Sequence, residues 1–231
     1  MDGIPDQLVA LFAMAVEDLD QRFSHSLHEL DDLAAERRLR QWLDGEDLPL
    51  PWEYPDRVTP DEWFLITTLY GQLNVKGQRT VIRKYFPTLF VEAARRRIRN
   101  FLPEMPEFSG LPYPYMKKRL CDMGALLQER GISMEEYVEW LRQLDHSATI
   151  GNPTPALDAI IHDLRVGQWK TLSVFVRDCV KGNCFPIDSR VLKELRRHWL
   201  SLDERLFVQL AMLIGRNPRQ IARMFYEAGG E

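Results

Sequence analysis

Two residues in this chain are of the right types and spacing for covalent chemistry on a carbon electrophile. Lys170 lies in Leu164-Arg165-Val166-Gly167-Gln168-Trp169-Lys170-Thr171, and Asp188 follows it by 18 residues in Phe185-Pro186-Ile187-Asp188-Ser189-Arg190-Val191. An amine can attack an electrophilic carbon and hold it as a covalent intermediate. A nearby carboxylate can take the amine's proton and balance positive charge as it develops. The two must converge for this chemistry to occur, so the elements around them decide the matter.

Those elements are predicted to be helices, giving an all-α fold class. Thr59-Pro60-Asp61-Glu62 combines an N-cap, a proline at the first helical position and an acid at the third. Trp63, Ile66, Leu69, Tyr70 and Leu73 then recur at three- and four-residue steps. Ser133-Met134-Glu135-Glu136 and Ser201-Leu202-Asp203-Glu204 predict two more capping boxes, before apolar runs at Tyr137–Leu144 and Leu206–Ile214. Thr154-Pro155 and Asn217-Pro218 predict further helix starts. Breaks fall at 45–60, 103–114 and 147–153, short enough for connections within a compact fold. Near the lysine, a helix through Leu157, Ile160 and Leu164 meets Gly167, and another runs through Leu172, Phe175, Val176 and Val180. This predicts two helices joined by a tight turn, whose amides could hold a phosphate. The following helix, beginning near Ser189, would be capped by Asp188.

Charge is unevenly distributed. The chain has a net charge of −4, but residues 1–62 hold 16 acids against 5 Lys or Arg, and residues 63–231 hold 18 against 25. The basic residues cluster at 79–84, 95–99, 117–119 and 190–197, a pattern that suits a positive face beside an acidic back. No apolar run approaches the roughly 18–20 residues that span a bilayer, and the start Met1-Asp2-Gly3-Ile4 lacks the basic opening of a secretory signal. The expectation is a protein of the cytoplasm, nucleoid-associated, or of the nucleus, neither secreted nor held in a membrane. Cys121, Cys179 and Cys184 lack the C-x-x-C spacing of metal or redox sites and are expected to be reduced and structural, with no metal.

The segment Leu164–Leu195 resembles the helix-hairpin-helix DNA glycosylase superfamily, in particular its endonuclease III-like branch. That branch carries L-P-G-V-G-x-K-T-A, then V-D-T-H-V about eighteen to twenty residues after the lysine. Leu164, Lys170 and Thr171 fall on the first motif, and Ile187-Asp188-Ser189-Arg190-Val191 on the second. A weaker likeness at Trp63–Gln72 puts Gln72 in place of the glutamine that enters the gap left by an extruded nucleotide. The likeness spans roughly residues 60–200. Only one hairpin glycine is kept, Gly167, and Arg165 stands for the usual proline. The cysteine quartet of the iron–sulfur members is absent.

The resemblance implies two helical domains with the hairpin at their junction and a cleft between them. Residues 60–165 would form a central helical barrel, and residues 1–59 with 166–231 a second domain built from both termini. It implies a DNA glycosylase with AP lyase activity, acting by β-elimination on a damaged or modified base flipped from the duplex. Lys170 and Asp188 would be catalytic. Gln72, Gly167 and Gln168, with Lys117, Lys118 and Arg119 of a basic helix, would contact DNA. The implied partner is double-stranded DNA with such a base, bound by a monomer. There would be no iron–sulfur cluster, with room for a monovalent cation at the hairpin. Trp52, Trp63, Tyr113, Tyr115 and Trp169 are of the type that stacks on a flipped base, though aromatics at helical spacing serve the core first. Two other readings stay open: a non-catalytic helix-hairpin-helix DNA-binding module, and an enzyme of this fold acting on hypermodified, phage-type bases.

Overall fold

The computed structural model describes residues 4–23, 59–70, 77, 80, 81, 84, 85, 89, 97–165 and 170–230. All its regular elements are helical: α1 (Asp6–Phe23), α2 (Pro60–Tyr70), α3 (Pro114–Arg130), α4 (Met134–His146), α5 (Pro155–Asp163), α6 (Lys170–Phe175), α7 (Ser189–Arg197), α8 (Glu204–Leu213) and α9 (Pro218–Gly230). Two single 3-10 turns, Ile98–Asn100 and Pro106–Phe108, precede α3, and one π-helical turn, Val176–Val180, continues α6.

The helices begin largely where short-range hydrogen bonding dictates. Thr59 Oγ1 accepts from Glu62 N at 3.3 Å while Glu62 Oε2 accepts from Thr59 N at 2.5 Å, closing the expected box on α2. Ser133 and Glu136 do the same for α4. The box expected from Ser201 and Glu204 does not form. Asp203 caps α8 instead, its Oδ1 accepting from Leu206 N at 2.8 Å. Glu204 is drawn away by more distant partners, since Ser173 Oγ donates to it at 3.0 Å and Phe185 N at 2.6 Å. A half-buried carboxylate accepting two hydrogen bonds there gains more than it would at an exposed helix start.

Two apolar clusters result. The first gathers α2, α3, α4, α5 and α6 with its π turn, from Trp63 to Cys184. At its centre is α2, buried from Asp61 to Leu69, which suits a helix that is apolar nearly all round. The second joins α1 to the chain from Phe185 to Ala228. In α1, Phe12, Ala15, Val16 and Leu19 make one buried stripe. Phe12 meets Phe207 edge-on at 5.2 Å and stacks with Phe225 at 6.1 Å, and Phe185 stacks with Phe207 at 5.7 Å. Along the chain the two apolar clusters divide between Cys184 and Phe185. Leu172, Phe175, Val176, Cys179 and Val180 pack into the first cluster, because the face of α6 they make lies against α2.

The pairing of α7 with α9 fixes where Asp188 stands. At Gly229 an added Cβ would meet Arg190 O at 2.0 Å and Arg190 C at 2.5 Å, so the two backbones touch where only glycine fits. Gly229→Ala is expected to force the helices apart and to cost about 2 kcal/mol, lowering Tm by about 4–8 °C in a chain of this size. A melt showing an unchanged Tm would contradict this contact.

The buried side of α7 is tied to α1 through Glu194, which is 1% exposed. It accepts from Arg22 Nη1 at 2.8 Å and Arg197 Nη1 at 2.6 Å. Burial pushes its carboxyl up, but the hydrogen bonds from Arg197 and Arg22 outweigh this and hold it below the ordinary 4.5. A depressed carboxylate stabilises the fold above its ordinary value, and that contribution is lost as the pH falls through the folded value. Acid titration of Tm from about pH 5 to 3 should therefore show a steeper fall for wild type than for Glu194→Gln.

Candidate active site

The start of α6 and the start of α7 bring Lys170 and Asp188 together. Lys170 opens α6, and its Nζ lies 3.8 Å from Asp188 Oδ2. The Lys170 side chain is 54% exposed and that of Asp188 17%, so the amine is reachable while the carboxylate is held. The holding is local. Asp188 is the N-cap of α7, and its Oδ1 accepts from Arg190 N and Val191 N, each at 3.0 Å. One carboxylate oxygen is therefore engaged by the helix and the other faces the amine. The capping bonds fix the orientation of the carboxylate without using its second oxygen.

Each partner is positioned from a different apolar cluster. Lys170 is carried by α6, whose Leu172 and Phe175 are buried against α2, with Phe64 and Phe175 edge-on at 5.3 Å. Asp188 is carried by α7, whose Val191 and Leu195 belong to the second cluster. The amine and the carboxylate meet where the two clusters meet.

The joint between the clusters also holds a charged pair. Arg177 and Asp178, on the π turn, form two hydrogen bonds, Nε to Oδ1 and Nη2 to Oδ2, both 2.6 Å. Their side chains are only 13% and 11% exposed. Burial pushes the Asp178 carboxyl up, but the Arg177 guanidinium outweighs that and holds it below the usual carboxylate range. Burial likewise raises the Tyr70 phenol, and the charge of Asp178 adds to it. Arg177 also lies 5.5 Å from the centroid of the Phe185 ring, on the other side of the division. The sequence predicts an apolar helix through Leu172, Phe175, Val176 and Val180. Two adjacent charges inside that run were the signal that something else was built there. A π turn, frequent at functional positions, displaces them from a regular α-helical register.

Of the other expected DNA contacts, Lys117, Lys118 and Arg119 lie among the described residues. Gln72, Gly167 and Gln168 lie outside the described residues, as do Trp52 and Trp169. Lys117, Lys118 and Arg119 all lie on α3. Lys118 pairs with Asp122 one turn on, and the Arg119 guanidinium lies 4.5 Å from the centroid of the Tyr115 ring. Tyr115 in turn stacks on Tyr113 at 5.4 Å. Trp63 is core, at 5% exposure.

Cys121, Cys179 and Cys184 are free thiols; burial pushes Cys179 and Cys184 up, and Cys184 Sγ donates to Ser173 O at 3.1 Å. Among the described residues no group of three or more His, Cys, Asp or Glu is arranged to hold a metal ion, and no helix is long and apolar enough to cross a membrane. Neither a protein-family model nor a curated protein nor a solved structure matches this chain.

Proposed function

We propose that this protein is a bifunctional DNA glycosylase with AP lyase activity, acting on duplex DNA that carries a damaged or modified base. The observation that carries the reading is the 3.8 Å approach of Lys170 Nζ to Asp188 Oδ2, between a reachable amine and a carboxylate fixed by its own helix. The target nucleotide leaves the duplex and enters between the two helical bodies, presenting its sugar to Lys170. Asp188 accepts a proton from Lys170, whose lone pair then attacks C1′. The N–C1′ bond forms as the glycosidic bond breaks, and the base departs with the bonding electrons and takes up a proton. Loss of a second proton from nitrogen and ring opening give the protonated Schiff base. Removal of a C2′ proton then expels the 3′ phosphate by β-elimination, and water releases the sugar remnant from the lysine. In the alternative to taking that proton, Asp188 keeps its charge and stabilises the sugar as positive charge builds there.

The chemistry uses the chain's own amine and carboxylate. The basic α3 and the basic residues of α7 supply phosphate contacts, which position DNA without reading its sequence. A monomer suffices, since both reacting groups come from one chain, and it works in whichever compartment holds the DNA, the bacterial cytoplasm or a nucleus. The direct test is borohydride trapping on duplex DNA with a single abasic site. Reduction of the Schiff base leaves a permanent protein–DNA adduct that migrates slowly on a denaturing gel. Wild-type protein that binds this DNA and yields no adduct would leave the non-catalytic DNA-binding reading in its place.

A further inference from the structure

The far end of α7 carries a residue whose type its local structure does not favour. Helix α7 closes in a Schellman turn: Trp199 N donates to Arg196 O at 3.1 Å and Leu200 N to Leu195 O at 2.9 Å. Leu195 and Leu200 are both buried, as that motif's apolar contact requires. The left-handed position of such a turn suits glycine, or failing that asparagine. Here it is Trp199, at φ +59. The indole is 90% exposed, so burial does not offset the backbone cost. A strained residue left this exposed points to something it packs against elsewhere.

Its surroundings indicate the partner. Ser189, Leu192, Lys193 and Arg196 are exposed and lie on one side of α7, opposite the buried Val191, Glu194 and Leu195. Lys193 and Arg196 have no ion-pair partner among the described residues, in contrast to Arg197, which is engaged by Glu194. The face thus offers free positive charge ending in a bare aromatic plane. Its other end is Asp188. With nine residues in the helix, it runs about 13 Å away from the reacting pair.

We propose that this face of α7 is a DNA-binding strip that holds the strand flanking the extruded nucleotide. It rests on the glycosylase reading for its choice of partner. Each strand presents a phosphate every 3.4 Å or so along the axis, so Lys193 and Arg196, one turn apart, reach separate phosphates. Trp199 lays its indole against a sugar or an exposed base face beyond them, a contact that tolerates any sequence.

Trp199→Gly tests this without endangering the fold, because glycine is the better residue for the turn. The variant is expected to melt about 2–4 °C higher than wild type and to bind a duplex with a single abasic site about tenfold more weakly. Lys193→Ala with Arg196→Ala should flatten the dependence of log affinity on log salt by about 1.8, or 0.9 per phosphate. A Trp199→Gly protein with raised Tm and unchanged DNA affinity overturns the proposal. So does wild-type self-association that the substitution abolishes while DNA binding is untouched, or the same pattern with anionic vesicles. Normal trapping on abasic DNA beside unchanged Trp199→Gly affinity would remove the strip and leave the glycosylase reading standing. Absence of binding to any duplex would remove both.

Discussion

Lys170→Ala is expected to abolish the borohydride-trapped adduct and to lower strand cleavage at abasic sites at least about a thousandfold. Folding should be little affected, because the Lys170 side chain is 54% exposed and its ion pair with Asp188 spans 3.8 Å. Asp188 allows a sharper separation. Asparagine caps a helix about as well as aspartate, so Asp188→Asn keeps the bonds to Arg190 N and Val191 N. It removes the charge facing the amine and with it the proton acceptor, at an expected cost of roughly 10²–10⁴ in rate. Asp188→Ala should match that loss in rate and in addition lose about 1 kcal/mol of stability with the cap. Gel quantitation of adduct and cleaved strand, beside thermal melts of the three variants, checks the whole pattern. An undiminished adduct with Lys170→Ala would remove the lysine from the mechanism, and full activity in Asp188→Asn would reduce the aspartate to a cap.

Asp178→Ala should be the most destabilising of these changes, at about 3–5 kcal/mol. Its carboxylate and the Arg177 guanidinium satisfy one another through two bonds in a largely buried place. Removing the carboxylate strands a guanidinium that is costly to desolvate alone. Burial would lower the Arg177 pKa, and the Asp178 charge is what more than reverses this. Replacing both, as Arg177→Met with Asp178→Ala, removes the stranded charge and should recover much of the loss. Urea unfolding of the single and double variants measures the coupling directly. Since Arg177 also lies over Phe185, across the division of the clusters, Asp178→Ala should further slow strand cleavage by loosening the joint that sets Lys170 against Asp188. A cleavage rate unchanged at temperatures where the variant remains folded would show that the pair serves stability alone.

The residues that sequence reading located well are those whose partners lie within one helical turn. Thr59 with Glu62 and Ser133 with Glu136 cap as expected, and α9 begins at Pro218 with Asn217 Oδ1 accepting from Arg219 N. Such bonds close short loops at small entropic cost, so composition over four residues nearly decides them. Where a side chain has a better distant partner the same logic fails. Glu204 leaves its expected box because Ser173 and Phe185 reach it from another part of the chain. The Arg177–Asp178 pair was visible as two letters, but its burial depends on helices far away in sequence.

By itself, then, the sequence determined the helices, most of their starting points, and the two residue types suited to amine chemistry. The tertiary structure decided that the apolar clusters divide at Cys184 and Phe185, that Asp188 turns one oxygen inward to its helix and the other toward Lys170, and that Trp199 is left bare. The physical reason is range. Periodicity and capping act over a few residues, whereas the approach of α6 to α7 depends on α2 and α9 packing behind them, which no local pattern records.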